Sequence, residues 1–482
     1  MGSAPPKEIP GYYWDPEKNR YFKETKNHLA TRSDAPWSSD NVKKRRLETA
    51  VAAEKARYDA RNVSRITRSR ELMQPLMGGF FARECGEDVR DLRATCLARG
   101  LAANGKVTIT RERRGPLTMT PLKVIRIGSM MRAMGGYHVL SCRQYANSLC
   151  LAGLVPDRTT GGFIRTPTHM TIPTNANVSD IKFNRTSTVA YIGLDNFESW
   201  HPTASLLTLR LMPVTDPAAI PPPAPNPMVY NADRYVEVLQ ICLTPRSTEN
   251  QCLVGTDSGL MKLTKTGLFT LITPPPEQNT NIYPNAKLFG TMFGVDCHRT
   301  NPNVVFCGGR PGKLFIGDLR QQPYDWNCIQ LPQSISHVKA VDDNQVLVAG
   351  LRSMMSVYDV RFCDLANVNE KYDISWGPKR HIAGNPVVTM PGYESYSRYN
   401  TGFDLDRSMG IVAAAHDDNK VALFSVRSGR RLPSRDVDRF RSMERVQSLQ
   451  FETLEGDSSP TLFIPDIYDM MVYSINAGTA DI

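Results

Sequence analysis

The chain contains no CxxC pair, and its ten cysteines among 482 residues are too sparse and irregular for a disulfide framework or a zinc module. They read instead as reduced thiols, most of them buried in strands as small hydrophobes, which fits the cytosol or nucleus. No apolar run approaches the ~18 residues that a membrane span requires, and the opening Met1-Gly2-Ser3-Ala4-Pro5-Pro6 lacks the apolar core of a signal peptide, so neither membrane insertion nor secretion is expected. Catalytic signatures are scarce as well. The eight histidines form no HExxH or HxxxH pair, and neither GxGxxG nor GxSxG occurs. Gly308-Gly309-Arg310-Pro311-Gly312-Lys313 has the look of a phosphate loop. Its first glycine is misplaced, however, Leu314 stands where Ser or Thr would bind magnesium, and no helix follows, so it reads as a hairpin turn. The acidic pairs Asp342-Asp343 and Asp417-Asp418 fall in turns, where Asp stabilises the turn itself. The expectation is a protein without catalysis, cofactor or metal.

What is present is a large apolar fraction, 41%, with 22% charged residues and a formal charge of +10. Such a chain can bury a substantial core and favours anionic partners. Much of the excess charge is local. Between Asn41 and Leu72 ten basic residues face four acidic ones, a net of 10 − 4 = +6, beginning with Lys43, Lys44, Arg45 and Arg46. The stretch lacks Pro and Gly and has Ser39 and Asp40 as N-caps, so it reads as a solvated helix. A second helical pair is expected over 65–77 and 87–99, stopped by Gly100. The basic run reads equally as a nuclear-import signal, a polyanion contact or a solvated face.

From about Met134 the pattern changes to short β-rich runs bounded by turns. Seven apolar runs end in small residues before a turn: 149–153, 190–193, 252–255, 304–309, 346–350, 411–415 and 462–465. Return strands are expected at 260–263, 313–316, 355–358, 421–426 and 471–475. Landmark steps are 40, 62, 53, 42, 64 and 50 residues, two of them at the ~40–45 residues of a propeller blade. The longest steps coincide with loop-like sequence, including seven prolines between Pro213 and Pro227, which cannot enter a ladder. The fold expected is all-β: a diverged seven-bladed WD-repeat-type β-propeller over 131–482. An aromatic segment (1–40) and a basic helical extension (41–130) precede it. A β-sandwich or two barrels is the alternative, because no Trp-Asp dipeptide punctuates the repeats.

Two further patterns exceed what folding requires. Tyr12, Tyr13, Trp14, Tyr21 and Phe22 flank an Asp-Pro-Glu-Lys-Asn turn, an aromatic hairpin that is marginal alone and should dock on its own propeller or on a partner. Asp-x-Arg follows two of the return strands, at Asp318/Arg320 and at Asp359/Arg361. The 41-residue offset between them points to adjacent blades and one shared rim.

The string PGYYWDPEKNRYFK (10–23), the basic helical segment after it and the Asp-x-Arg blade ends resemble the WD-repeat substrate receptors of cullin-4 RING ubiquitin ligases, of the factor-4 (WD-repeat protein 21-like) type. The resemblance implies a non-catalytic receptor that joins the damaged-DNA-binding adaptor protein of the ligase and presents an unknown protein substrate. In that family the adaptor-binding pattern is aromatic, Asp, any residue, Arg. Tyr358, Asp359 and Arg361 match it fully; Asp318 and Arg320 match with Gly317 in place of the aromatic. An N-terminal helix, here 65–77, is also implied. The rival reading is a nuclear RNA or ribonucleoprotein scaffold that binds nucleic acid through 41–72.

Overall fold

The computed structural model describes residues 12–15, 20–23, 42, 91–108, 122–128, 137–143, 148–156, 163–165, 170–173, 177–184, 189–195, 206–210, 228–230, 237–245, 250–272, 290–310, 312–321, 323, 326–361, 366–367, 386–396, 398–454, 457, 459–466 and 469–475. The chain divides into two compact units, Met1–Thr67 and Arg68–Ile482. In the first, Tyr12–Asp15 pairs antiparallel with Arg20–Lys23, matching Tyr13 with Phe22, Trp14 with Tyr21 and Asp15 with Arg20. The two aromatic strands on either side of residues 16–19 therefore pair with each other, as the hairpin reading of the sequence expects. Lys43, Lys44, Arg45, Arg46, the segment 65–77 and the proline-rich run 213–227 lie outside the described residues.

In the second unit six antiparallel blades form a β-propeller, each built from consecutive strands. Blade 1 comprises Leu122–Gly128, Tyr137–Arg143, Ser148–Pro156 and Phe163–Arg165, with Met170–Pro173 also paired to its third strand. Blade 2 comprises Asn177–Phe183, Val189–Asp195, Leu206–Arg210 and Met228–Tyr230. Blade 3 comprises Val238–Leu243, Asn250–Thr256, Gly259–Thr264 and Phe269–Leu271. Blade 4 comprises Met292–Cys297, Val304–Gly309, Lys313–Asp318 and Asn327–Gln330, extended by Ala366–Asn367. Blade 5 comprises Ile335–Ala340, Gln345–Gly350, Met354–Asp359 and Val388–Thr389, and blade 6 Phe403–Asp406, Ile411–Ala415, Val421–Ser425 and Arg431–Leu432. A further four-stranded sheet is assembled from both ends of the unit. Gln450–Glu452, Thr461–Asp466 and Asp469–Ser474 are joined on the outer edge by Ala102–Thr108, Ala102 opposite Ser474.

First strands of successive sheets pack side by side, and Gln450–Glu452 returns the ring to Leu122–Gly128. Polar side chains fasten several of these junctions. Asp180 Oδ2 accepts Ile241 N–H (2.9 Å), Gln240 Oε1 accepts Val295 N–H (2.8 Å), Asp296 Oδ2 accepts Ala340 N–H (2.8 Å) and Asp404 Oδ2 accepts Phe451 N–H (2.8 Å). Each bond carries a backbone donor that no strand of its own blade satisfies across to the neighbouring blade, and a buried donor left unmade is costly. Asp404→Ala should therefore cost about 1–3 kcal/mol in urea unfolding, with Asp404→Asn recovering much of it because an amide oxygen still accepts. Wild-type stability in the alanine variant would show that the bond carries no weight.

The landmark runs fall on second strands in blades 2 to 6 and in the closing sheet, and the five return strands fall on third strands. The first landmark, 149–153, belongs instead to the third strand of blade 1. Glycines end several second strands because the first strand of the same blade carries a bulge there. A Cβ on Gly309 would lie 1.7 Å from Thr291 O, and one on Gly350 2.3 Å from Ser334 O. Gly308 to Lys313 links two antiparallel strands, with Gly312 at φ +90.

Most of the stretch 41–130 lies outside the described residues, and the described part after Gly100 is built of strands where a helical extension was expected. Its described part holds one helix, α1 (Leu92–Gly100), within one residue of the expected end, while Ala102–Thr108 and Leu122–Gly128 are strands of the propeller. The described cysteines carry no disulfide, and most are buried in strands.

Candidate protein-contact site

The third strands of blades 4 and 5 end at equivalent ladder positions. Val304 lies opposite Asp318 in one, and Gln345 opposite Asp359 in the other. In each, the aspartate folds back on the arginine two residues later with nearly identical geometry. Asp318 Oδ1 accepts Arg320 N–H at 3.0 Å and Nε–H at 2.9 Å, and Oδ2 accepts Nη2–H at 2.6 Å. Asp359 Oδ1 accepts Arg361 N–H at 3.0 Å and Nε–H at 3.1 Å, and Oδ2 accepts Nη2–H at 2.7 Å. Both arginine side chains are more than half exposed (66% and 56%), whereas the aspartate side chains are sunk into the blade ends (17% and 6%).

Exposed ion pairs contribute little to stability, on the order of 0–1 kcal/mol, so these arrangements matter chiefly for orientation. One edge of each guanidinium is fixed on a carboxylate, and the plane is held upright at the rim. Hydrogen bonding from the arginines is the foremost cause holding both aspartate carboxyls below the ordinary range, and the same pairing raises both arginines. The site's charge state is thus fixed at all physiological pH values. Because first and third strands of a blade run in the same direction, both arginines emerge on the face where first strands end.

The aromatic of the pattern is structural. Tyr358 is 3% exposed and packs among Phe306, Leu314, Ile335 and Val346. Gly317 stands at the same register in blade 4, and Trp326 fills the space. A Cβ on Gly317 would come within 2.1 Å of the indole, which is 1% exposed and donates Nε1–H to Asp318 O at 3.1 Å. The missing aromatic is thereby supplied from eight residues beyond the aspartate.

The opposite face carries different chemistry. A funnel along the ring axis, enclosing about 110 Å³, is lined by Lys182, Gln240, His337, Lys339 and Tyr399. His337 stacks flat on Phe403 (centroids 4.7 Å, 5° between planes), and burial, with Lys339 adding, pushes its pKa down to about 3. The unfolded imidazole titrates near 6.5 and the folded one far lower, so the unfolded chain binds the extra proton, and this residue's contribution falls as pH drops from about 6.5 toward 3. The stability advantage of wild type over His337→Gln should accordingly shrink between about pH 7 and pH 4 in urea titrations; a constant gap would refute the assignment.

Elsewhere among the described residues, Glu394, His416 and Asp418 bring ligating atoms within 4.8 Å of one another, a group that could hold a cation. There the Lys420 ammonium already bonds to Asp418, supplying the positive charge the carboxylate needs. In the hairpin Tyr12 is 43% exposed, and Tyr21 and Phe22 are half-buried.

Sequence reasoning passed over two sets of residues. The inter-blade acceptors Asp180, Gln240, Asp296 and Asp404 were legible only as single polar residues inside apolar first strands. Phe424-Ser425-Val426-Arg427 ends the third strand of blade 6 in the same aromatic, polar, any, Arg order, with serine in place of aspartate. No protein-family model and no curated protein matches the chain.

Proposed function

We propose that the protein is a non-catalytic substrate receptor of a cullin-4 RING ubiquitin ligase, gripping the damaged-DNA-binding adaptor through Arg320 and Arg361 and presenting a protein substrate. The observation that carries this reading is the pair of superimposable Asp–Arg forks on equivalent strand ends of adjacent blades, one exposed arginine on each. Counted with the closing sheet, the propeller is seven-bladed, the WD-type ring implied by the resemblance of the sequence. Lys43 to Arg46 would direct the chain to the nucleus. Such a receptor needs no reacting group. It raises the local concentration of a substrate lysine near the charged ubiquitin thioester, turning a bimolecular encounter into a local one. The funnel on the opposite face leaves a second surface for substrate. Capture of purified adaptor by the full-length chain tests the reading, and a folded chain that takes up no adaptor overturns it.

A further inference from the structure

The rim extends past blade 5. In blade 6 Ile411 lies opposite Ser425 and Val412 opposite Phe424, which sets Ser425 level with Asp359 and Phe424 level with Tyr358. Arg427 therefore holds the place of Arg320 and Arg361 on a third consecutive blade, and it too is exposed. Serine can reproduce only half of what aspartate does there. Its Oγ accepts Arg427 N–H at 3.2 Å and Ser428 N–H at 3.3 Å, the backbone role that the Asp318 and Asp359 carboxylates fill for Arg320 and Arg361.

Ser425 is itself held by a carboxylate from another part of the chain. Ser425 Oγ donates to Asp91 Oδ1, and Asp91 immediately precedes α1. Asp91 is 6% exposed, and its side chain caps none of its own helix's N–H groups; it is spent on the blade end instead. A carboxylate this buried is tolerable only with hydrogen bonding and a favourable field, and a helix N-terminus provides part of that field. Ala94, Leu97 and Ala98 seat the helix on Val437, Phe440 and Ile475, leaving Arg93 and Arg99 exposed. Helix and blade end are therefore locked together beside the rim.

We infer that Arg427 and α1 continue the rim of Arg320 and Arg361 into one contact surface across three blades, with Arg427 engaging a carboxylate of the same protein partner and Asp91 acting as its positioning residue. This rests on the receptor reading. The partner chemistry follows from charge accounting. The pairs Asp318–Arg320 and Asp359–Arg361 each carry no net charge and offer an oriented donor edge, which suits discrete acidic side chains, and Arg427 adds an exposed guanidinium to the same row. A phosphate backbone instead rewards uncompensated positive charge.

The test measures adaptor binding by biolayer interferometry on the full-length chain, comparing R427E, D91A, D91A/S425D and R320E/R361E, with RNA binding followed in parallel. R427E should weaken adaptor binding at least about 10-fold without lowering the unfolding temperature, as expected for an exposed interface charge. D91A, which removes the acceptor for the Ser425 hydroxyl, should weaken it too, and D91A/S425D should recover it, because an aspartate at 425 recreates within the strand the fork seen in blades 4 and 5; a purely structural role for Asp91 would give no such rescue of binding. Wild-type affinity in R427E beside a defective R320E/R361E ends the surface at blade 5 and overturns the inference while the receptor reading stands. Wild-type affinity in R320E/R361E removes the reading and the inference with it. Capture of a short single-stranded RNA that depends on Arg427, with no adaptor capture, overturns the inference in favour of nucleic acid.

Discussion

Reversing both rim arginines, R320E with R361E, is expected to abolish adaptor capture and leave folding untouched. The two effects separate because the same side chains do different things in the isolated chain and in a complex. In the isolated chain each arginine is mostly solvated, and water screens its pair with Asp318 or Asp359, so neither pair contributes much to stability. Two reversals place like charges side by side at the surface, where solvent screens them, so the unfolding midpoint should move only slightly. In a complex the guanidinium becomes desolvated against a partner group. Truncating one member of such a charge pair costs about 2–5 kcal/mol, a loss of roughly 30-fold to more than 10³-fold in affinity per site. R320K/R361K is the informative control, since lysine keeps the charge and loses the planar two-point fork, and it should fall between wild type and the reversal. Quantitative pull-down with circular dichroism on the same samples decides the matter. Undiminished capture by the double reversal would dismiss the rim as the adaptor site.

The largest expected loss of stability comes from Trp326→Ala. The indole is among the largest fully buried side chains and covers Gly317. Removing it creates a cavity under the blade end and strips Asp318 O of its donor at 3.1 Å, so about 3–5 kcal/mol should be lost, seen as a lower urea midpoint. Gly317→Ala attacks the same contact from the other side. A methyl group would meet a rigid ring at 2.1 Å, and displacing the ring should cost about 1–3 kcal/mol. The two positions should then compensate. Gly317→Tyr in the Trp326→Ala background rebuilds the arrangement of blade 5, where Tyr358 fills its own site, and should regain part of the loss. A Trp326→Ala protein as stable as wild type would mean that the blade end can collapse without the ring.

Where the sequence was readable, it was readable for local reasons. The second strands of blades 4 and 5 end in glycine because a bulged first strand crowds them, and blade 6 ends its second strand in Ala415, so the apolar-run-then-small-residue signature marked real strands. Blade 1 broke the rule: its second strand, Tyr137–Arg143, ends in Cys142-Arg143 with no small residue, and the signature surfaced one strand later at Gly153. Ala102–Thr108 escaped notice for a different reason. Its Asn104-Gly105 dipeptide reads as a turn, whereas in the fold it is a bulge between Ala103 and Lys106, with Gly105 at φ +109. Leu122–Gly128 places Lys123 and Arg126 three residues apart, its strand period being broken by the register shift between Leu122 and Val124, and after the charged Arg111–Arg114 it was absorbed into the basic segment.

The two Asp-x-Arg copies were legible because spacing and residue type survive in one dimension. Trp326 as the stand-in for an aromatic at 317, and Asp91 as the stand-in for an aspartate at 425, were not. Both are substitutions made through space, the second across 334 residues, and no local pattern records them.

The pairing of Ala102–Thr108 with Asp469–Ser474 ties ring closure to the synthesis of the strands beyond residue 460. On a ribosome the outer strand emerges several hundred residues before its neighbour exists, so an edge with unsatisfied backbone groups must wait while the blades between accumulate. A nascent chain halted before 461 would hold blades but no clasp, and it should be both sticky and protease-sensitive until the final two strands of the sheet arrive.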